Sequence, residues 1–196
     1  MNGSVFEYPE KRLQRRHGPQ GYLRHESFRP WLRDEFTFQC VYCLNRESWG
    51  QVTGDFEVDH FLPQSIHPDK KLNYENLVYA CRRCNGAKGN GIIADPFYSL
   101  HTESIRCQNG EVTGKSLEAQ RTIRVLDLNS PNMIRWRLLF AQIVDLALEH
   151  DESLLEMLTG LPANLPDLRR MKPPHNSRPE GVADSWFSRR VKSHDS

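Results

Sequence analysis

The chain has 196 residues, of which 38% are hydrophobic and 26% charged, with a formal net charge of +1. That composition can bury a modest core, which excludes a wholly disordered chain. No run approaches the roughly 18 apolar residues that a membrane-spanning helix needs. The length allows one domain with extensions or two small domains. The amino terminus has no apolar stretch of signal-peptide type, so a cytoplasmic protein is expected. Positive charge gathers at the two ends: the balance is +2 over residues 1–35, −1 over 36–96, −4 over 97–168 and +4 over 169–196. This pattern permits nucleic-acid binding through the ends but does not demand it, since solvated surface charge looks the same.

Residues 1–36 read as a basic N-terminal arm followed by a short helix. Lys11-Arg12, Arg15-Arg16 and the Gly18-Pro19-Gln20-Gly21 breaker suggest a flexible or loosely docked segment. Phe28, Trp31, Leu32 and Phe36 are spaced for one helical face, with Pro30 breaking the helix early. Arg29, Arg33, Asp34 and Glu35 are then expected to face water, with phosphate contacts from Arg29 or Arg33 as the sharper alternative.

Residues 37–96 carry the informative pattern. Cys40-Val41-Tyr42-Cys43 and Cys81-Arg82-Arg83-Cys84 are two Cys-x-x-Cys pairs separated by 37 residues. In a reducing compartment such pairs favour a metal over disulfides. A two-residue spacing aims both thiolates of a turn at one point, so the two pairs read as one tetrahedral Zn²⁺ site. Such a site is coordinatively closed and therefore structural. Cys107 is left over and is expected to be a buried small residue. Between the pairs, Val52 to Pro63 reads as a β-hairpin arm in which Phe56 and Val58 alternate with Asp55, Glu57 and Asp59. Ser65 to Tyr74 reads as loop, Asn76 to Ala80 as a short apolar run, and Asn85 to Lys88 as the start of a helix that Gly89 and Gly91 stop.

Residues 97–165 read as a helical region. Ser116 suits an N-cap, and Ser130 followed by Pro131 is a stronger start. Met133, Trp136, Phe140, Ile143 and Ala147 make one apolar stripe to about Glu149, and a further helix includes Leu154, Leu155 and Leu158. Such stripes are core or a partner-helix face, so a scaffolding role is expected, with a homodimer or partner-protein interface if the stripe is exposed. From 166 to 196 Pro, Arg, Ser and Asn dominate without periodicity, and a basic, disordered tail is expected, pinned by Trp186 and Phe187.

The zinc clamp brings Asp59 and His60 toward Asn85 and Lys88. Hydrolysing a phosphodiester needs a base for the attacking water and a cation on the phosphate and leaving oxygens. His60 titrates near neutrality and suits the first task. Asp59 and Asn85 offer the carboxylate and amide oxygens that a hard cation prefers. Lys88, Arg82 and Arg83 are candidate phosphate contacts, with surface charge as the plain alternative. His25, His67 and His101 fall on no motif position and read as surface or loop residues.

The ordered set Cys40/Cys43, Asp59-His60, Asn76-Leu77 and Cys81-x-x-Cys84-Asn85-x-x-Lys88 resembles the HNH endonucleases over about residues 38–90. The resemblance implies an α+β fold: a ββα-metal module stapled by a four-cysteine zinc, followed by an α-helical C-terminal region. It also implies a metal-dependent DNA endonuclease with His60 as general base, Asp59 and Asn85 as ligands of the catalytic ion, and Asn76 orienting the His60 ring. Many members have His where this chain has Asn85, and the amide points to Mg²⁺ or Mn²⁺ in preference to softer metals. A restriction or phage-defence setting fits such an enzyme. The substrate reading leaves RNA open beside DNA. The competing class is a non-catalytic zinc-ribbon module that binds nucleic acid, which has no need of Asp59, His60, Asn76 and Asn85 together.

Overall fold

The computed structural model describes residues 5–49 and 56–194, so the part of the expected hairpin arm from Val52 to Asp55 lies outside the described residues. The elements in chain order are β1 (Pro19–Gln20), α1 (Arg29–Glu35), β2 (Phe56–His60), β3 (Leu77–Cys81), α2 (Arg82–Lys88) and α3 (Pro96–Ser99). They continue with β4 (Ile105–Gln108), β5 (Glu111–Gly114), α4 (Leu117–Val125), α5 (Pro131–His150), α6 (Glu152–Thr159), β6 (His175–Asn176) and α7 (Trp186–His194). The fold class is α+β, with three two-stranded antiparallel sheets among the described residues. No helix among them is long and apolar enough to cross a membrane.

The central unit is β2, β3 and α2. The two strands pair antiparallel with Phe56 opposite Cys81 and His60 opposite Leu77. Every residue of β3 is buried, which is why its sequence is a continuous apolar run. The chain passes directly from β3 into α2, with Cys81 as the extended N-cap residue. The first cysteine pair sits on a knuckle whose corners, Thr37, Phe38 and Leu44, have positive φ. Its Cys40 N–H donates to the Asn45 carbonyl at 2.8 Å, and its Val41 N–H donates to the Tyr79 carbonyl of β3 at 3.0 Å. The knuckle is therefore stitched to the strand that carries the second pair.

Several expectations are corrected here. Pro30 does not break α1; it stands in the first turn, where a missing N–H costs nothing. Asp34 and Glu35 do not face water: Asp34 is fully buried, and its carboxylate accepts from His17 Nε2 at 2.8 Å and from the Trp186 N–H of α7 at 2.7 Å. Glu35 accepts from the Tyr74 hydroxyl at 3.0 Å and from the Arg16 backbone N–H at 2.6 Å. These acids receive enough donors to offset the cost of burial. The expected disordered tail is instead ordered to His194. β6 pairs with β1, Arg178 meets Glu75 at 2.8 Å, and α7 is anchored on Asp34, so the two basic ends clasp one another across the core. The N-terminal arm is docked too: Phe6 and Tyr8 are buried, and the Tyr8 hydroxyl donates to the Tyr42 carbonyl at 2.6 Å.

The helical region packs against this unit through aromatic rings. Trp136 and Phe140 of α5 surround Trp49, with ring centroids 6.0 and 5.0 Å away, and Phe6 lies 5.0 Å from Trp136. Met133 also packs on the core and Ala147 is buried. Leu139 and Leu146 on one flank of α5 and Leu148 on the opposite flank remain exposed. The hairpin of β4 and β5 turns on Asn109-Gly110, both with positive φ, which is the pair such a turn demands.

Candidate active site

The four cysteines converge as their spacing requires. All four Sγ atoms lie within 4.8 Å of one another, all four residues are buried, and the Cys43–Cys81 separation is 3.7 Å. A tetrahedral ion with Zn–S bonds of about 2.3 Å sets its sulfurs about 3.8 Å apart, so the cluster fits a metal such as zinc. Hydrogen bonding from the neighbouring thiols, Cys40 first, holds the Cys81 thiol far below its usual range. Cys107 stands apart and half-buried, with burial raising its thiol.

Beside this cluster, β2, the first turns after residue 25, and α2 enclose a cleft of about 490 Å³. Asp59, His60, Asn85 and Lys88 all line it. Glu57 and Asp59 share one face of β2, because strand side chains alternate. Asp59 is 3% exposed, and both its oxygens are engaged: Oδ2 accepts from the Tyr42 hydroxyl at 2.6 Å, and Oδ1 pairs with Lys88 Nζ at 3.0 Å. A carboxylate has about four acceptor positions, so lone pairs remain for a cation. Asn85 donates its amide nitrogen to Glu57 Oε2 at 2.6 Å. The donor set of carboxylate and amide oxygens fits a hard divalent ion.

His60 is held by both ring nitrogens. Nε2 lies 2.8 Å from the Lys71 carbonyl, which can only accept, so Nε2 carries the proton. Nδ1 is then the lone-pair nitrogen, and Gln64, an exposed residue, donates to it at 3.0 Å. Burial is the main cause that lowers the His60 pKa, partly opposed by the Lys71 bond, while His25 and Lys88 lower it further. The ring is therefore a neutral imidazole at neutral pH, in the tautomer a base requires.

The structure differs from the sequence reading at several of these positions. Asn76 is buried but does not touch His60. Its Oδ1 accepts from the Leu62 N–H at 3.0 Å, and its Nδ2 donates to the carbonyls of Leu62 and Lys70 at 3.1 and 3.3 Å. It shapes the loop whose next carbonyl, Lys71, locks the ring. Of the three cations expected to meet phosphate, Lys88 is in the cleft but is buried and paired with Asp59. Arg83 turns away to the carbonyls of Leu126 and Asp127 at 2.7 and 2.5 Å and ties α2 to the chain before α5. Arg82 is 77% exposed, 3.8 Å from Glu57.

Sequence reasoning passed over Tyr42, Glu57 and Gln64; Arg29, named there only as an alternative phosphate contact, and His25, read as a surface or loop residue, also line the cleft. Glu57 was signalled by standing two residues before Asp59 on one strand face. Gln64 and Tyr42 left no signal, because loop closure and the knuckle place them. His25 is no stray surface residue: its ring stands edge-on to His60 with centroids 5.0 Å apart. His101 lies in a loop, as expected, but is buried, within 2.9 Å of the Ser104 hydroxyl.

Comparison with known proteins agrees with this geometry. Residues 40–91 match the family model of the HNH endonuclease. The chain is 33% identical over 141 residues to the Septu protein PtuB of Bacillus thuringiensis, an alignment covering 68% of this chain and 52% of that protein. The chain thus spans about half the length of the curated relative it matches. No solved structure matches significantly. With its ββα core, its four-cysteine cluster and its Asp59-His60 cleft, residues 40–91 are a domain of the HNH endonuclease family.

Proposed function

We propose that the protein is a metal-dependent DNA endonuclease that hydrolyses phosphodiester bonds, with Zn²⁺ in the cysteine cluster and Mg²⁺ or Mn²⁺ in the cleft. The observation that carries this reading is His60, held neutral with Nε2–H on the Lys71 carbonyl and with Nδ1 met by the exposed Gln64, in the cleft that Asp59 also lines. In this reading Nδ1 takes a proton from a water that attacks the scissile phosphorus in line. Gln64 exchanges its bond to Nδ1 for one to solvent as the water enters. Asp59 and Asn85 hold the cation, which would supply charge stabilisation to the phosphate and to the departing 3′ oxygen. Lys88 keeps the buried Asp59 carboxylate compensated and adds positive charge to the cleft floor. Asn76 keeps the Lys71 carbonyl in place, so its part in the reaction runs through His60. Arg82 is the exposed cation best placed for phosphate contact at the rim.

The amide at position 85 supports Mg²⁺ or Mn²⁺ over softer ions. A phage-defence setting is consistent with the likeness to a Septu protein, and a cytoplasmic location belongs to the same proposal. Leu139 and Leu146, which share one flank of α5, are where a second copy or a partner protein would dock, and light scattering tests the former. The test of activity is incubation of purified protein with supercoiled plasmid and, in parallel, with structured RNA. Mg²⁺, Mn²⁺ and a chelator form the metal arms, and His60→Ala is the control. Cleavage should need the divalent ion and disappear in His60→Ala; persistence in that variant overturns the mechanism. Binding without cleavage across all metals would favour the zinc-ribbon reading.

A further inference from the structure

We infer that Glu57 is a positioning residue for the divalent ion: it fixes the rotation of the Asn85 side chain so that the amide oxygen, and not the amide nitrogen, is presented to the cation. The inference rests on the reading of Asn85 as a ligand. A primary amide has two ends of nearly equal shape, and only the oxygen end can bind a cation. An unrestrained Asn therefore presents the wrong group part of the time. Here the amide nitrogen donates to Glu57 Oε2 at 2.6 Å, a short charge-assisted bond. An ionised carboxylate cannot donate, so the reverse rotamer would set amide oxygen against carboxylate oxygen.

Glu57 is itself restrained. It lies within the β2–β3 ladder, opposite Ala80, and its other oxygen is 3.8 Å from Arg82 Nε. It shares the strand face of Asp59, so the same element carries one ligand and orients the other. Partners of this kind behind metal ligands commonly change affinity by about 10–100-fold when removed.

The experiment is Mn²⁺ binding to the full chain with its cysteine cluster loaded, followed by titration calorimetry and by the electron paramagnetic resonance of free Mn²⁺. Glu57→Ala should weaken binding by about 10–100-fold, with an unfolding midpoint close to that of the parent. Glu57→Gln keeps an oxygen for Asn85 and should retain most of the affinity.

Parental affinity in Glu57→Ala would overturn the inference, as would equal losses in Glu57→Ala and Glu57→Gln. The latter would mean that the charge of Glu57 matters and not its hold on Asn85. A parent that binds no Mn²⁺ in the cleft also overturns it. If the binding pattern holds but plasmid stays uncut, the nuclease reading fails and the role of Glu57 stands. If His60-dependent cleavage is present but Glu57→Ala binds normally, the reverse is true.

Discussion

Lys88→Met probes the heart of the cleft. The ammonium lies 3.0 Å from Asp59 Oδ1, and the two side chains are 2% and 4% exposed, so solvent screening is slight. Lys88 Nζ also donates to the Gly89 carbonyl at 3.2 Å. Methionine keeps most of the chain length, so little cavity is created, and the change removes mainly charge. Asp59 would retain the Tyr42 hydroxyl at 2.6 Å as its donor. Breaking a buried pair from one side costs roughly 3–5 kcal/mol because a charge is left uncompensated. That is a large share of the ~5–15 kcal/mol by which domains are stable. A divalent ion bound at Asp59 would return positive charge to the same place. Both proteins should gain from the ion, and the gap should narrow as Mg²⁺ is raised because loss of the Lys88 ammonium tightens the variant's site, by about 1.4 kcal/mol at saturation for each tenfold difference in dissociation constant. Urea unfolding followed by tryptophan fluorescence, with and without Mg²⁺ and with the cysteine cluster kept loaded, measures both quantities. A variant as stable as the parent without Mg²⁺ would refute the buried-pair argument. A failure of Mg²⁺ to stabilise either protein would refute the placement of the cation at Asp59.

Other perturbations test the remaining supports. Cys81→Ser should release the structural metal and abolish the cooperative unfolding transition, since such sites bind with roughly 10–16 kcal/mol; metal content and circular dichroism read this together. Asn76→Ala leaves the part-buried Leu62 N–H without its side-chain acceptor, at a cost of about 0.5–1.5 kcal/mol. It should also lower kcat more than KM, and hydrogen exchange at Leu62 reports the loosened loop. The pH profile follows from His60. Burial holds its pKa below the ordinary value of about 6.5, so the base stays neutral and cleavage should be level down through about pH 6.5, falling only below it. The unfolded chain binds that proton more readily, so stability should likewise decline as pH drops through about 6.5 toward the lower folded value. An acid limb of kcat/KM centred above 6.5 would contradict the assigned environment.

The cysteine pairs, Asp59-His60 and Asn85 were legible because metal-ligand chemistry demands particular residue types at short fixed spacings, and a linear sequence displays both. The β3 run and the stripe on α5 were legible for a similar reason, since burial imposes a period on neighbouring residues. Asp34 and Glu35 were not, because a charged residue on a helix looks solvated until its donors, His17 and the start of α7, arrive from more than a hundred residues of intervening chain or from the N-terminal arm. The tail from Pro166 lacked periodicity because it is held by polar contacts to β1, Glu75 and Asp34 and by scattered apolar residues, Leu168, Met171 and Val182, and not by one continuous apolar face.

The same division runs through the cleft. The linear order of residues names the groups available: four thiolates, an acid, a base and an amide. How they are used is settled by the fold, because proton location, amide rotation and charge compensation depend on partners that are distant in sequence. The carbonyl of Lys71 sets the His60 tautomer, Glu57 turns Asn85, and Lys88 answers Asp59 where a surface phosphate contact was expected.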